Sequence, residues 1–157
     1  MKKVVIIGAN DFQNPLILKA KELGYETHVF AWKDGSIGEK TADYFYPISI
    51  VEKDKILEEC KKIKPNAVVS IGSDLASITV NYVADALGLP CNNPKYSLQC
   101  TNKYEMRKVF SENKIDVPKF VKLGTFDEMK LDNFKFPLIV KPTDRSGSRG
   151  IFLCNTI

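Results

Sequence analysis

Phe136-Pro137-Leu138-Ile139-Val140-Lys141-Pro142, then Thr143-Asp144-Arg145-Ser146-Gly147-Ser148-Arg149-Gly150, then Ile151-Phe152-Leu153-Cys154 follow one another near the end of the 157-residue chain. They read as strand, loop and strand. Leu138, Ile139 and Val140 form a short continuous apolar run, the pattern of a strand buried on both faces. That strand ends in a lysine between Val140 and Pro142. The eight residues from Thr143 to Gly150 hold two glycines, two serines and two arginines and nothing aliphatic. Glycine permits positive φ and close approach of the backbone to a ligand. Successive backbone N–H groups in such a loop make an anion-binding concavity. Arginine adds bidentate contacts to phosphate oxygens and lysine a point charge. A solvated hairpin would need only a loop of about two to five residues. The length and charge of this loop therefore point to a phosphate site. It is not a P-loop, because GxxxxGK[ST] is absent.

Upstream, the chain alternates strands and helices. Lys3–Ile7 reads as a central strand of a parallel sheet. Gly8–Gln13 is its turn. Asn14 is expected to cap the next helix, with Pro15 at its first position and Gly24 just past its end. Leu16, Ile17, Ala20 and Leu23 give that helix an apolar face. Strands are expected at 26–32, 45–50, 67–71 and 89–92. Helices are expected at 53–64, with Ile56, Leu57, Cys60 and Ile63 inward, and at 75–87. The pattern predicts an α/β fold: a Rossmann-like open parallel sheet with helices on both faces.

After Asn93-Pro94 the pattern changes, and a domain boundary is expected there: 1–93, then 94–157. Tyr96–Cys100 reads as a helical turn. Thr101–Asn113 reads as an amphipathic helix capped by Thr101, with Met106, Val109 and Phe110 inward. A strand is expected at 119–123, and Thr125–Glu128 reads as a helix start. A strand–loop–strand with one strand before it cannot close a core alone. The second domain is thus expected to be incomplete.

Composition sets the class. Hydrophobic content of 44% and charged content of 27% are those of a globular chain. The net charge of +4, with no basic run interleaved with aromatics, does not suggest nucleic acid. Cys60, Cys91, Cys100 and Cys154 show no CxxC pair or metal-like spacing, so no metal site is expected, and all four are expected reduced in the cytoplasm. Val4–Ile7 is too short for a signal peptide, and no stretch is long enough to span a membrane.

Other candidate residues lie at the carboxyl ends of strands, where doubly wound sheets bind ligands. Gln13 and Asn14 follow the first strand, and Ser73 and Asp74 follow the fourth; they are candidates for contacts to a small substrate. Ser73 or Asp74 can equally cap the helix that begins there. The first turn contains only Gly8, so it is not GxGxxG, and Asp34 is loosely spaced for a ribose-binding acid. His28, the only histidine, lies within a strand and reads as structural. Lys103 is a surface lysine by its helix alone and gains weight when coupled to Lys141.

The order and spacing of four motifs resemble the start of an ATP-grasp enzyme. The motifs are Asn102-Lys103-Tyr104-Glu105-Met106-Arg107, Ile115-Asp116-Val117-Pro118, Phe136–Pro142 and Ser146-Gly147-Ser148-Arg149-Gly150-Ile151. The resemblance covers the whole chain. Residues 1–93 are similar to the pre-ATP-grasp domain. Residues 94–157 are similar to the first part of the α+β ATP-grasp domain, as in carbamoyl phosphate synthetase large chains and biotin carboxylases. The resemblance implies ATP and magnesium as cofactors. Lys103 and Lys141 would contact the nucleotide phosphates, and Arg145, Ser146, Gly147, Ser148, Arg149 and Gly150 would form a lid over them. It also implies a carboxylate–amine ligase working through an acylphosphate. The loop carries more arginine and less glycine than the family's glycine-rich versions. The family's magnesium ligands would lie beyond Ile157, so these residues alone are expected not to turn over ATP. A C-terminal ATP-grasp portion is the expected partner, and a homodimer is a further candidate assembly. Two other readings stay open: an NAD(P)-binding Rossmann module of a dehydrogenase or epimerase, and a non-catalytic interaction domain.

Overall fold

The computed structural model describes residues 1–124 and 134–156, in two compact units, Met1–Ser97 and Leu98–Ile157.

The first unit runs β1 (Lys3–Ile7), α1 (Asn14–Glu22), β2 (Glu26–Phe30), α2 (Ile37–Thr41), β3 (Tyr44–Tyr46), α3 (Lys53–Ile63), β4 (Ala67–Val69) and α4 (Asp74–Ala86). The four strands are parallel in the order β3-β2-β1-β4. Side chains alternate between the faces of β1. Val5 and Ile7 pack with Phe30, Ile56, Cys60 and Val83 on one face. Val4 and Ile6 pack with Ile17, Ala20 and Val29 on the other. Helices thus cover both faces, which explains why the strand lacks polar alternation. Each such buried aliphatic side chain contributes roughly 1.5–3 kcal/mol. All four inward residues of α3 are buried. On α1, Ile17 and Ala20 are buried, but Leu23 falls at the C-cap and turns out to solvent.

Several local expectations need correction. Asn14 is the first helical residue of α1 rather than its cap. The turn is closed instead by Asn10, whose side chain accepts from the Phe12 N–H and whose carbonyl accepts from Gln13 and Asn14. The strand expected at 89–92 is absent. Pro90 has no N–H for a ladder, and the Asn92 N–H donates to the Asn81 side chain (3.2 Å). The third strand spans only Tyr44–Tyr46. Helix α2 was not anticipated, although Ser36-Ile37-Gly38-Glu39 has capping-box spacing. Glu39 reaches back to accept from the N–H groups of Asp34 (2.8 Å) and Gly35 (2.6 Å).

Helix α5 (Ser97–Thr101) starts at the last residue of the first unit and leads to α6 (Lys103–Glu112); in the second unit β5 (Leu138–Val140) pairs antiparallel with β6 (Phe152–Cys154). Asn102, not Thr101, caps α6, accepting from Tyr104 (3.0 Å) and Glu105 (3.2 Å). Phe110, expected inward, is exposed. No strand forms at 119–123. The expected helix start at Thr125–Glu128 lies outside the described residues. The strand expected to be buried on both faces is not: Ile139 is 57% exposed and Val140 48%. The β5–β6 pair forms a sheet of two strands only, so among the described residues no further strand flanks it.

Candidate functional site

The second unit brings α6 and the β5–β6 loop together through Lys103. Its backbone N–H donates to the Thr143 carbonyl (2.8 Å), and its ammonium donates to the Arg145 carbonyl. Asn102 starts the helix at the residue before, so the cap sets where the lysine projects. Lys141 follows directly on β5. Desolvation first, then the positive charges of Arg107 and Lys103, hold its ammonium below the usual lysine value. Lys103 and Lys141, 38 positions apart in sequence, are therefore electrostatic neighbours.

The loop between the strands is tied to itself. The Arg149 Nε–H donates to the Ser146 carbonyl (3.2 Å). Gly147 (φ 65°) and Ser148 (φ 56°) are both left-handed, a conformation that costs a non-glycine residue such as Ser148. Gly150 is also left-handed, and a Cβ there would lie 3.0 Å from the Pro142 ring. Arg145, Gly147, Ser148, Arg149 and Gly150 are exposed and Ser146 is half-buried. The loop thus presents two cationic side chains to solvent while its backbone is turned by left-handed residues.

In the first unit, β1 and β4 are adjacent but continue in opposite directions across the sheet, so their carboxyl ends form the topological switch point. Gln13 fills it. Its side chain is 2% exposed, and its amide donates to the Ile71 carbonyl (2.6 Å). A Cβ on Gly8 would lie 2.9 Å from Gln13 Cδ. Gln13 is therefore a strut between the two turns, with one of its two amide N–H groups committed to the Ile71 carbonyl. Asn14 is buried beside it, and its Oδ1 has no hydrogen-bond partner among the described residues. Ser73 caps α4, accepting from the Ala76 N–H (3.2 Å). Ser73 and Asp74 also line an open cleft of about 380 Å³ with Ser70, Ser77, Asn81 and Asn92. Asp34 accepts from the Ser36 N–H (3.0 Å) and so holds its own turn. His28 is structural: it is buried between the Tyr46 hydroxyl (3.0 Å) and Glu26 (2.8 Å) and stacks on Tyr44. Among the described residues no group of three His, Cys, Asp or Glu side chains could hold a metal, and all four cysteines are free.

Two contributors escaped sequence reasoning. Arg107 stands in a motif that was singled out, but only its i,i+4 spacing from Lys103 would have marked it. Gly38 is the other. Its N–H donates to the Ala9 carbonyl (2.9 Å), and a Cβ there would lie 2.4 Å from that oxygen. It clamps α2 against the turn after β1, and no local signal announces so close an approach.

No family model matches the sequence. A formate-dependent phosphoribosylglycinamide formyltransferase of Prochlorococcus marinus (strain AS9601) is 25% identical over 99% of this chain and 40% of its own length. A D-alanine–D-alanine ligase A of Bacillus cereus is 27% identical over 67% of this chain and 36% of its own. Among solved structures, an L-amino acid ligase from Bacillus licheniformis superposes with a TM-score of 0.82 at 20% identity, over 99% of this chain and 39% of that one. An N5-carboxyaminoimidazole ribonucleotide synthetase from Thermotoga maritima gives 0.78 at 19% identity, over 100% and 42%. The chain thus spans about two fifths of the length of the curated relatives that match nearly all of it. Its structural neighbours are ATP-grasp enzymes, and its fold is that of their N-terminal portion. No helix among the described residues is long and apolar enough to cross a membrane.

Proposed function

We propose that the chain is the N-terminal part of an ATP-dependent carboxylate–amine ligase and carries the phosphate-binding half of its nucleotide site. Residues 1–93 are the pre-ATP-grasp domain and 94–157 the beginning of the ATP-grasp domain. The observation that carries this reading is the convergence of Lys103 and Lys141 on the loop from Thr143 to Gly150. The ligase names among the relatives and structural neighbours support the reaction class.

In such a reaction a carboxylate oxygen attacks the terminal phosphorus of ATP, and the bond to the ADP oxygen breaks. An amine then attacks the acyl carbon of the acylphosphate, and phosphate leaves. Lys103 and Lys141 hold the phosphate tail and neutralise charge that develops on it, the main contribution a protein makes to phosphoryl transfer. Arg145, Ser146, Gly147, Ser148, Arg149 and Gly150 cover it. Magnesium, when bound, would supply further neutralisation of the phosphate charge. Its ligands are assigned to the C-terminal ATP-grasp portion, which is also the part expected to cover the exposed faces of Ile139, Val140, Phe152 and Leu153. Asn14, Ser73 and Asp74 are assigned to the acceptor substrate, with Gln13 as the strut that shapes the crevice beside them. Of these, Asn14 with its unpartnered oxygen and exposed Asp74 have capacity to spare. Within the class the carbamoyl phosphate synthetase-like version is the finer form of the proposal. A cytoplasmic location is part of the proposal, and a homodimer is an assembly it allows.

In the full-length protein, Lys141→Ala is expected to weaken nucleotide binding by about 1.5–3 kcal/mol, the loss of a charge-assisted contact. An unchanged Kd by calorimetry refutes the assignment. The 157 residues alone are expected not to hydrolyse ATP, and magnesium-dependent hydrolysis by them would contradict the placement of the metal ligands. The dinucleotide alternative is disfavoured because the Gln13 side chain packs directly on Gly8, where a pyrophosphate would need to approach. An NADH titration followed by nicotinamide fluorescence separates the two readings.

A further inference from the structure

Lys103 and Arg107 stand four residues apart on α6, and that spacing puts them on one face. The first turn of the helix is held against the segment after β5 by the two bonds from Lys103 to Thr143 and Arg145. Lys141 lies in the same segment, close enough for both α6 cations to repel it. All three side chains belong to half-buried residues.

None of the three is paired with an acid among the described residues. The ion pairs among the described residues all lie between positions 3 and 62. Asp144, adjacent to Arg145, and Glu105, on α6, pair with none of them. The Arg107 side chain also makes no hydrogen bond among the described residues, whereas the Lys103 ammonium has one donor committed to Arg145. Like charges gathered where water is partly excluded oppose folding unless a counter-charge arrives. A ligand with several negative charges relieves all three repulsions together.

We propose that Arg107 is a third cation of the phosphate site and that it makes the site selective for the longer phosphate tail. The inference rests on the nucleotide reading above. Two lysines are point charges enough for a short tail. Arg107 adds a guanidinium whose fork spans two oxygens, with every donor unspent. It gains a partner only when a further phosphate reaches it. Arg107 is thus a specificity residue, distinct from the two lysines that hold any tail.

The test is calorimetric titration of the 157-residue protein with ATP, ADP and AMP, and with inorganic tripolyphosphate as a tail without a base. The wild type is expected to bind ATP tighter than ADP. Arg107→Gln is expected to weaken ATP and tripolyphosphate by about tenfold, while ADP and AMP change by less than about threefold. Arg107→Lys, which keeps the charge but not the fork, is expected to fall between. Wild type that binds tripolyphosphate, together with an Arg107→Gln ratio of ATP to ADP affinity equal to its own, overturns the Arg107 assignment and leaves the phosphate site standing. Wild type that binds neither ATP nor tripolyphosphate overturns the underlying reading instead. If Arg107→Gln melts early, Arg107→Lys decides: an unchanged ATP-to-ADP ratio in that folded variant overturns the proposal.

Discussion

The Lys103 ammonium donates to the carbonyl oxygen of Arg145, 42 positions later in the sequence. A side chain assigned to a ligand is thus spending one of its three donors on the loop assigned to cover that ligand. The bond gives Lys103 two tasks, anchoring the loop and meeting the phosphate. Lys103→Met keeps the stem and removes both. Backbone amides of Arg145–Gly150 are then expected to exchange at least about tenfold faster, the loss of one charge-assisted hydrogen bond. Amides of β1 and β4 should be unchanged. Hydrogen exchange read by mass spectrometry checks this, and equal exchange in the loop would mean that Lys103 does not anchor it.

Gly38→Ala sets two effects against each other. Alanine is the better helix former by up to about 1 kcal/mol. Its Cβ, however, would meet the Ala9 backbone at 2.4 Å for the oxygen and 2.8 Å for Cα. Backbone cannot swing aside as a side chain can, so overpacking costs of about 1–3 kcal/mol are expected to win. Urea denaturation should give a lower midpoint for Gly38→Ala than for the wild type. A midpoint equal or higher would show that α2 moves freely.

Gln13→Met keeps the volume of the strut and deletes its polar end. The Ile71 carbonyl loses its 2.6 Å donor beside a buried side chain. The cost is expected to be about 1–3 kcal/mol, that of an unsatisfied partner. Thermal denaturation checks it. No loss of stability would mean that water replaces the amide, and that Gln13 is available to a substrate after all.

Cys60 offers a pH signature. Burial, with the Glu59 charge adding to it, pushes its thiol up to about 12 from an ordinary 9.0. The folded state therefore binds the proton more tightly than the unfolded one. That contribution is complete below pH 9 and is lost as the pH rises towards 12, amounting to about 1.4 kcal/mol by pH 10. Stability of the wild type should fall more steeply than that of Cys60→Ala across this window. Parallel curves would contradict it. In the folded protein at pH 8, exposed Cys91 and Cys100 should react with a thiol reagent well before Cys60.

The first unit was legible because its signals are local and repeated. The unbroken run Val4–Ile7 marked a strand covered on both faces. Ile56, Leu57, Cys60 and Ile63 at helical spacing marked the inner side of α3. The second unit was less so. Leu138-Ile139-Val140 shows that a strand can be buried, but burial needs a second layer, and a run of three side chains does not record whether one is there. The strand expected at 89–92 failed for a reason present in the sequence, the missing N–H of Pro90, outweighed there by spacing alone.

Read from residues alone, the chain declared an open parallel sheet, a helix bearing Lys103, and a strand ending in Lys141 before a glycine, serine and arginine loop. Those follow from side-chain periodicity and backbone preference, which act over a few residues. Three things were decided only in three dimensions: that Lys103 closes on Arg145, that Arg107 shares its charge environment with Lys141, and that Gln13 occupies the crevice between β1 and β4. Each joins positions dozens of residues apart, and no local preference encodes the distance between them. Packing brings such positions together, and once they touch, Coulomb repulsion and unfilled hydrogen bonds define what a ligand must supply.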